Sequence, residues 1–165
     1  MKKLTSELEQ EIKAGKVEVN IEPRGLVVSL KQTAFFPSGT DAIDPSTYPI
    51  LQKVADALNA VSNPLRIEGH TDSVPIHTAR FRSNWELSAA RSISMMEVMA
   101  AHFQVDRQRV AIVGFADTAP QTSNDTAEGR ARNRRVDIVI QNNYMAIPSA
   151  QKTARPASVP GQVTK

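Results

Sequence analysis

The sequence predicts an α/β sandwich: a mixed sheet of four strands with two main helices packed on one face, preceded by an N-terminal helix. Three observations predict it. Apolar residues alternate with polar ones early in the chain, on both sides of a turn. Two long stretches with helical apolar spacing then separate later strand-like runs. The 165 residues, 41% hydrophobic, suffice for a single domain with its own core.

Taken in order, Leu4, Leu8 and Ile12 recur at helical spacing among charges, so a short amphipathic helix is expected over residues 3–14, ending at Gly15. Val17, Val19 and Ile21 alternate as a strand, Glu22-Pro23-Arg24-Gly25 supplies a turn, and residues 26–30 return as its hairpin partner. Phe35 and Phe36, closed off by Pro37-Ser38-Gly39, read as rings packed beneath the sheet. Asp44-Pro45 is an N-cap followed by proline at the first helical position. Tyr48, Leu51, Val54, Ala55 and Leu58 then mark the buried face of a helix over residues 45–61. Asn63-Pro64 ends that helix, and residues 65–71 form the next strand.

Ser83-Asn84-Trp85-Glu86 has the form of a capping box, opening a helix over residues 84–103. Its expected buried stripe is Trp85, Ala89, Ile93, Met96, Met99 and Phe103, with the methionines as core filler and Arg91 off the stripe. On this reading Trp85 belongs to the core rather than to a sugar-stacking surface. After a short connection at 106–109, the apolar run 110–115 reads as a central strand. Residues 116–128 are a polar loop, and an arginine-rich stretch leads into a strand over 136–141. From Asn142 the pattern fails, and prolines among small polar residues suggest a disordered tail. The domain organisation expected is 1–15 linker helix, 16–141 folded domain, 142–165 tail.

Composition narrows the function classes. The absence of cysteine removes disulfides, thiolate zinc sites and cysteine nucleophiles. No apolar run approaches the ~20 residues of a membrane span, and the charged start does not resemble a signal-peptide core. A net charge of +3 permits an anionic partner without requiring nucleic acid, and few aromatic rings are present for base stacking.

The informative stretch is residues 66–91. Arg66, Ile67 and Glu68 alternate, and Gly69 interrupts the strand where a close backbone approach or a bulge is expected. His70, Thr71 and Asp72 then fall at the strand's end. Asn84, Leu87 and Arg91 share one helix face pointing back toward it. An acid, Asp72, and a base, Arg91, across one cleft would match a zwitterion, the arginine gripping a carboxylate through its planar fork. The alternative is that Asp72 only forms a turn and Arg91 only points into solvent. His70 reads as a residue making a structural hydrogen bond, and a metal site with Asp72 and His77 lacks a third fixed ligand. The run Arg130, Arg132, Arg134, Arg135 reads as ion-paired, with Arg130 or Arg134 holding the loop around Asn124.

Several ordered motifs resemble one family. Gly69-His70-Thr71-Asp72 is similar to its GHTD. Asn84 with Leu87-Ser88 and Ala90-Arg91 is similar to its N..LS..R helix start. Gly114-Phe115, Pro120 and Asn124 match its loop, and Gly129-Arg130 with Asn133-Arg134-Arg135-Val136 its GR..NRRV ending. On these residues, the stretch from about 35 to 140 resembles the OmpA-like (OmpA/MotB) peptidoglycan-binding domain, more the flagellar-stator branch than the porin branch. The resemblance implies an OmpA-like fold and non-covalent binding of the peptidoglycan stem peptide at diaminopimelate, without catalysis, cofactor or metal. It implies that Asp72 accepts from the ligand's ammonium and Arg91 pairs with its carboxylate. Asn84 and Leu87 would line the pocket, Thr71 would offer contacts, and Arg134 or Arg135 would add positive potential. It further implies a homodimer, and a periplasmic domain anchoring an inner-membrane stator to the wall through a transmembrane segment absent from this chain. A secretion-system or other envelope tether is the alternative machine. From other classes come a glycan hydrolase using Asp72 with Asp117 or Glu68, and RNA binding by the arginines.

Overall fold

The computed structural model describes residues 2–142, so the expected tail over 142–165 falls, except for Asn142, outside the described residues. Five strands build one mixed sheet: β1 (Val17–Glu22), β2 (Gly25–Lys31), β3 (Leu65–His70), β4 (Val110–Gly114) and β5 (Arg135–Gln141), in the order β1-β2-β5-β3-β4. That is one strand more than the four expected, because the hairpin enters the sheet whole. β2 pairs antiparallel with β5 from Gly25↔Gln141 to Lys31↔Arg135, and β1 extends the sheet beyond it. β3 is antiparallel to β5 and parallel to β4, so the chain's last strand lies at the sheet's centre.

One face of the sheet carries Val28, Leu30, Ile67, Val136 and Ile138 into the core. There they meet Leu51, Val54 and Leu58 of α4 (Tyr48–Asn59) and Met95 and Met99 of α5 (Asn84–Phe103). Asp44 caps as expected: Oδ1 accepts from Ser46 N at 3.0 Å, and Pro45 opens a 3-10 turn that runs into α4. The N-terminal helix is broken at Leu8 into α1 (Lys2–Glu7) and α2 (Glu9–Lys13), and both Leu4 and Leu8 join the core. Lys53 of α4 clamps them by donating to Glu7 O and to the Glu11 carboxylate, each at 3.1 Å. Phe35, at the end of α3 (Gln32–Phe35), and Phe36 are buried, as the sequence suggested.

Two sequence expectations are corrected. The buried side of α5 is Leu87, Ser88, Arg91, Ser92, Met95, Met99 and Phe103, whereas Trp85 and Ile93 are 54% and 42% exposed. The reason is close packing on glycine. A Cβ on Gly69 would lie 2.0 Å from Ser88 O, and one on Gly114 would lie 2.8 Å from Ala89 N. The helix therefore presses its serine side, not its bulkiest side, onto β3 and β4. Ser92 Oγ donates to Val113 O at 3.0 Å, and Ser88 Oγ accepts from Ala116 N at 3.1 Å, satisfying polar groups in that seam. Second, β4 is an edge strand rather than a central one, because β5 enters between β2 and β3 and leaves β4 at the rim. The capping box of α5 is half formed: Ser83 is extended but makes no side-chain cap bond, while Glu86 Oε2 accepts from Arg82 N at 2.6 Å.

Candidate functional site

β3 ends where α5 begins, and the close contact at Gly69 holds the two together. Beside this junction opens a cavity of about 440 Å³, lined by Asp72 and Thr71 from the strand end and by Asn84, Leu87 and Arg91 from the helix. Arg134 reaches in from the residue between α6 (Ala127–Asn133) and β5. The structure thus brings together six of the seven residues singled out from the sequence. Arg135 is the exception. One strand position further on, it points to the opposite face of the sheet, where its guanidinium bonds Asp137, Asn133 O and Ala119 O.

Asp72 is 8% exposed and fixed at both carboxylate oxygens. Oδ1 accepts from Val74 N at 3.0 Å, closing the loop after the strand, and Oδ2 accepts from Arg134 at 2.6 Å. Arg91 is 4% exposed, donates from Nε to Thr40 O at 2.8 Å and lies 5.2 Å from the centroid of the Phe36 ring. Its terminal nitrogens make no hydrogen bond among the described residues. Burial, reinforced by the like charge of Arg134, pulls Arg91 from the ordinary arginine value down to about 10, against the opposing pull of Asp41 and Asp72. The site therefore holds a buried cation with no carboxylate in hydrogen-bond contact, across from a buried anion.

The remaining members shape the cleft. Asn84 Nδ2 donates to Val74 O at 3.0 Å, tying the loop to the helix start. Thr71 is occupied by the backbone, its hydroxyl donating to Asp72 O at 2.8 Å and its amide to Ala116 O at 2.8 Å. Arg130 donates to Asn124 O at 2.9 Å, the loop-holding role expected for it or Arg134. Asn133 does more for that loop. Fully buried, it accepts from Gln121 N and Thr122 N and donates to Thr122 O and Asn124 Oδ1. Sequence reasoning missed the contribution of residues 32–40, where Gln32, Thr33, Ser38 and Gly39 line the cavity and Thr40 supplies a carbonyl. Nothing in their residue types signals this, since much of it is backbone.

His70 faces the other side of the sheet, stacked on Phe115 with centroids 5.1 Å apart. Contrary to expectation, neither ring nitrogen has a hydrogen-bond partner among the described residues, and Nε2 lies 3.5 Å from Asp137 and 3.8 Å from Glu68. Ligand atoms of Glu68, His70 and Asp137 lie within 4.8 Å of one another, close enough for a metal. However, the guanidiniums of Arg24, Arg66 and Arg135 already contact these two carboxylates, so their charge is compensated without a cation. His77 sits in an exposed loop and approaches only Arg82 O, at 3.2 Å.

The OmpA family model matches residues 35–134, the span that includes β3, α5 and the cleft. The chain belongs to the OmpA family. Among OmpA-family relatives it is 35% identical to motility protein B of Bacillus subtilis over 147 residues, covering 85% of this chain and 56% of that protein. It is 39% identical to the peptidoglycan-binding protein ArfA of Mycobacterium bovis over 108 residues, 65% of this chain and 31% of that one. Its fold matches the cell wall anchor of the T6SS from Pseudomonas aeruginosa with a TM-score of 0.76 and 37% identity, over 84% of this chain and 97% of that one. The chain spans about half the length, or less, of the curated relatives it matches. Among the described residues no helix is long and apolar enough to cross a membrane.

Proposed function

We propose that this chain is a non-catalytic wall anchor whose cleft grips the diaminopimelate side chain of the peptidoglycan stem peptide. The observation that supports it best is the pairing in one cavity of buried Asp72 with buried Arg91, whose terminal nitrogens are unused. A free carboxylate can take the arginine fork in two parallel hydrogen bonds, while the ammonium beside it turns to Asp72. Leu87 and the ring of Phe36 exclude water around the guanidinium, which strengthens a charged contact there. Arg134 holds Asp72 in the ligand-free cleft, so the ammonium must share or displace it. Relatives named for wall binding and wall anchoring agree with this reading.

The machine being anchored is a further step. The name of the Bacillus subtilis relative favours a flagellar stator in an inner membrane, with this domain in the periplasm and working as a homodimer. The Pseudomonas aeruginosa anchor supports a secretion system instead. A hydrolase reading loses its acid pair: Glu68 is buried on the other face of the sheet in contact with Arg24, and Asp72 is ion-paired to Arg134. A general acid needs a raised carboxyl pKa, which a guanidinium opposes.

The test is sedimentation with insoluble peptidoglycan. The parent chain is expected in the pellet and to be released by free diaminopimelate, whereas Asp72→Ala and Arg91→Ala are expected to stay in solution. Truncating one partner of a buried charge pair removes about 2–5 kcal/mol of binding, enough to abolish retention. A parent chain that stays soluble at all salt concentrations, or pellets equally well with both substitutions, would refute the site.

A further inference from the structure

We propose that the free edge of β4, together with the apolar side of α5 that overhangs it, is a self-association surface, on which a second copy of this chain pairs β4 with β4 about a two-fold axis through Ile112. The two rims of the sheet are built differently. β1 carries Glu18, Asn20 and Glu22, the charged and polar residues with which natural proteins blunt an open edge. β4 reads Val110-Ala111-Ile112-Val113-Gly114, with no charge, proline or bulge, and Ile112 is 39% exposed. An unprotected edge of this kind is an adhesive strand unless something covers it.

Above that rim lies the stripe that the sequence reading assigned to the core. Ala89 rests on Gly114, so Trp85, Ile93 and Met96, at helical spacing from it, run along the β4 side of α5. Trp85 and Ile93 are 54% and 42% exposed. The side of α5 that lines the cleft, with Asn84, Leu87 and Arg91, is turned the opposite way. An occupant of the β4 edge therefore leaves the cleft open.

The charges favour a second copy over an unrelated strand. With an antiparallel two-fold at Ile112, Val110 lies opposite Gly114 and Ala111 opposite Val113, so no like charges meet. Carried outward, the same register sets Arg107 opposite Asp117 of the second copy, and by symmetry Asp117 opposite the other Arg107. Both residues are exposed, and neither makes an ion pair among the described residues. The two α5 helices, lying on the same face of the joined sheet, then meet across the axis through Ile93 and Met96.

The experiment is sedimentation equilibrium of the 165-residue chain over a concentration series, without peptidoglycan, so its outcome is independent of the wall-binding reading. A monomer–dimer equilibrium is expected. Ile112→Lys, which sets two ammonium groups on the axis, should weaken the dimer at least about tenfold with unchanged circular dichroism and melting temperature. Arg107→Asp should weaken it too, and adding Asp117→Arg should restore it. Because the chain has no cysteine, Ile112→Cys gives a disulfide reporter, and oxidation should cross-link the dimer in solution. A parent that remains monomeric at every concentration, or a dimer indifferent to Ile112→Lys, overturns the proposal.

Discussion

Arg91 and Arg135 are buried almost equally, at 4% and 6% exposure, yet their surroundings differ. On the back of the sheet, Arg135 is clasped by Asp137 at 3.1 Å and by two backbone carbonyls, within a network that also draws Arg24 and Arg66 onto Glu68 and Asp137. In the cleft, Arg91 has one carbonyl and one aromatic ring. A buried charge is expensive unless paired, so the saturated network is built for the fold, whereas the unsaturated one is complete only with a ligand. Burial alone does not separate structural from binding arginines. The hydrogen bonds left unmade do.

The sharpest way to break this contrast is to remove a partner on the saturated side. Asp137→Ala strands Arg135 in the interior and should cost about 3–5 kcal/mol of stability in urea unfolding. A loss below about 1 kcal/mol would mean that the network is not what holds that face. Arg91→Met, of similar shape and uncharged, should abolish wall retention while changing stability by less than about 1.5 kcal/mol, or even raising it, because a desolvated cation is removed. Proton linkage sharpens the same point. Arg91 is lowered to about 10 in the fold, so between about pH 10 and the ordinary arginine range the unfolded chain binds more protons, and the penalty is relieved as pH rises. The stability gap between Arg91→Met and the parent should therefore shrink across that window. The smallest effect is expected for Arg134→Ala. Its pair with Asp72 is partly solvated on the arginine side, so stability should fall by no more than about 1 kcal/mol. Free of this competitor, Asp72 should take diaminopimelate more tightly, as isothermal titration would show.

Much of the fold was legible because local signals and global packing agree. Asp44-Pro45 starts a helical turn, the hairpin alternates, and Gly69 marks a close approach that is indeed a helix pressed onto a strand. The side of α5 that packs inward was not legible. Periodicity assigns the bulkiest residues to the core, but contact at Gly69 and Gly114 requires small ones, so Ser88 and Ser92 face the sheet. Nor does an apolar strand such as β4 record its neighbours, which are decided by where β5 inserts. In the site, Asp72 and Arg91 could be named from motifs, while the hold of Arg134 on Asp72 spans 62 residues and leaves no local trace.

The central position of β5 has a consequence for how the protein is made. The hairpin β1-β2 and the unit β3-α5-β4 share no strand pairing until β5 inserts between them, and β5 is the last strand in the chain. Long-range pairing of this kind is slow and comes late in folding. Arg134, which orients Asp72, immediately precedes that strand. An emerging chain therefore cannot assemble its grip before nearly all of it is available, and adhesion to the wall is deferred until synthesis and delivery are almost finished.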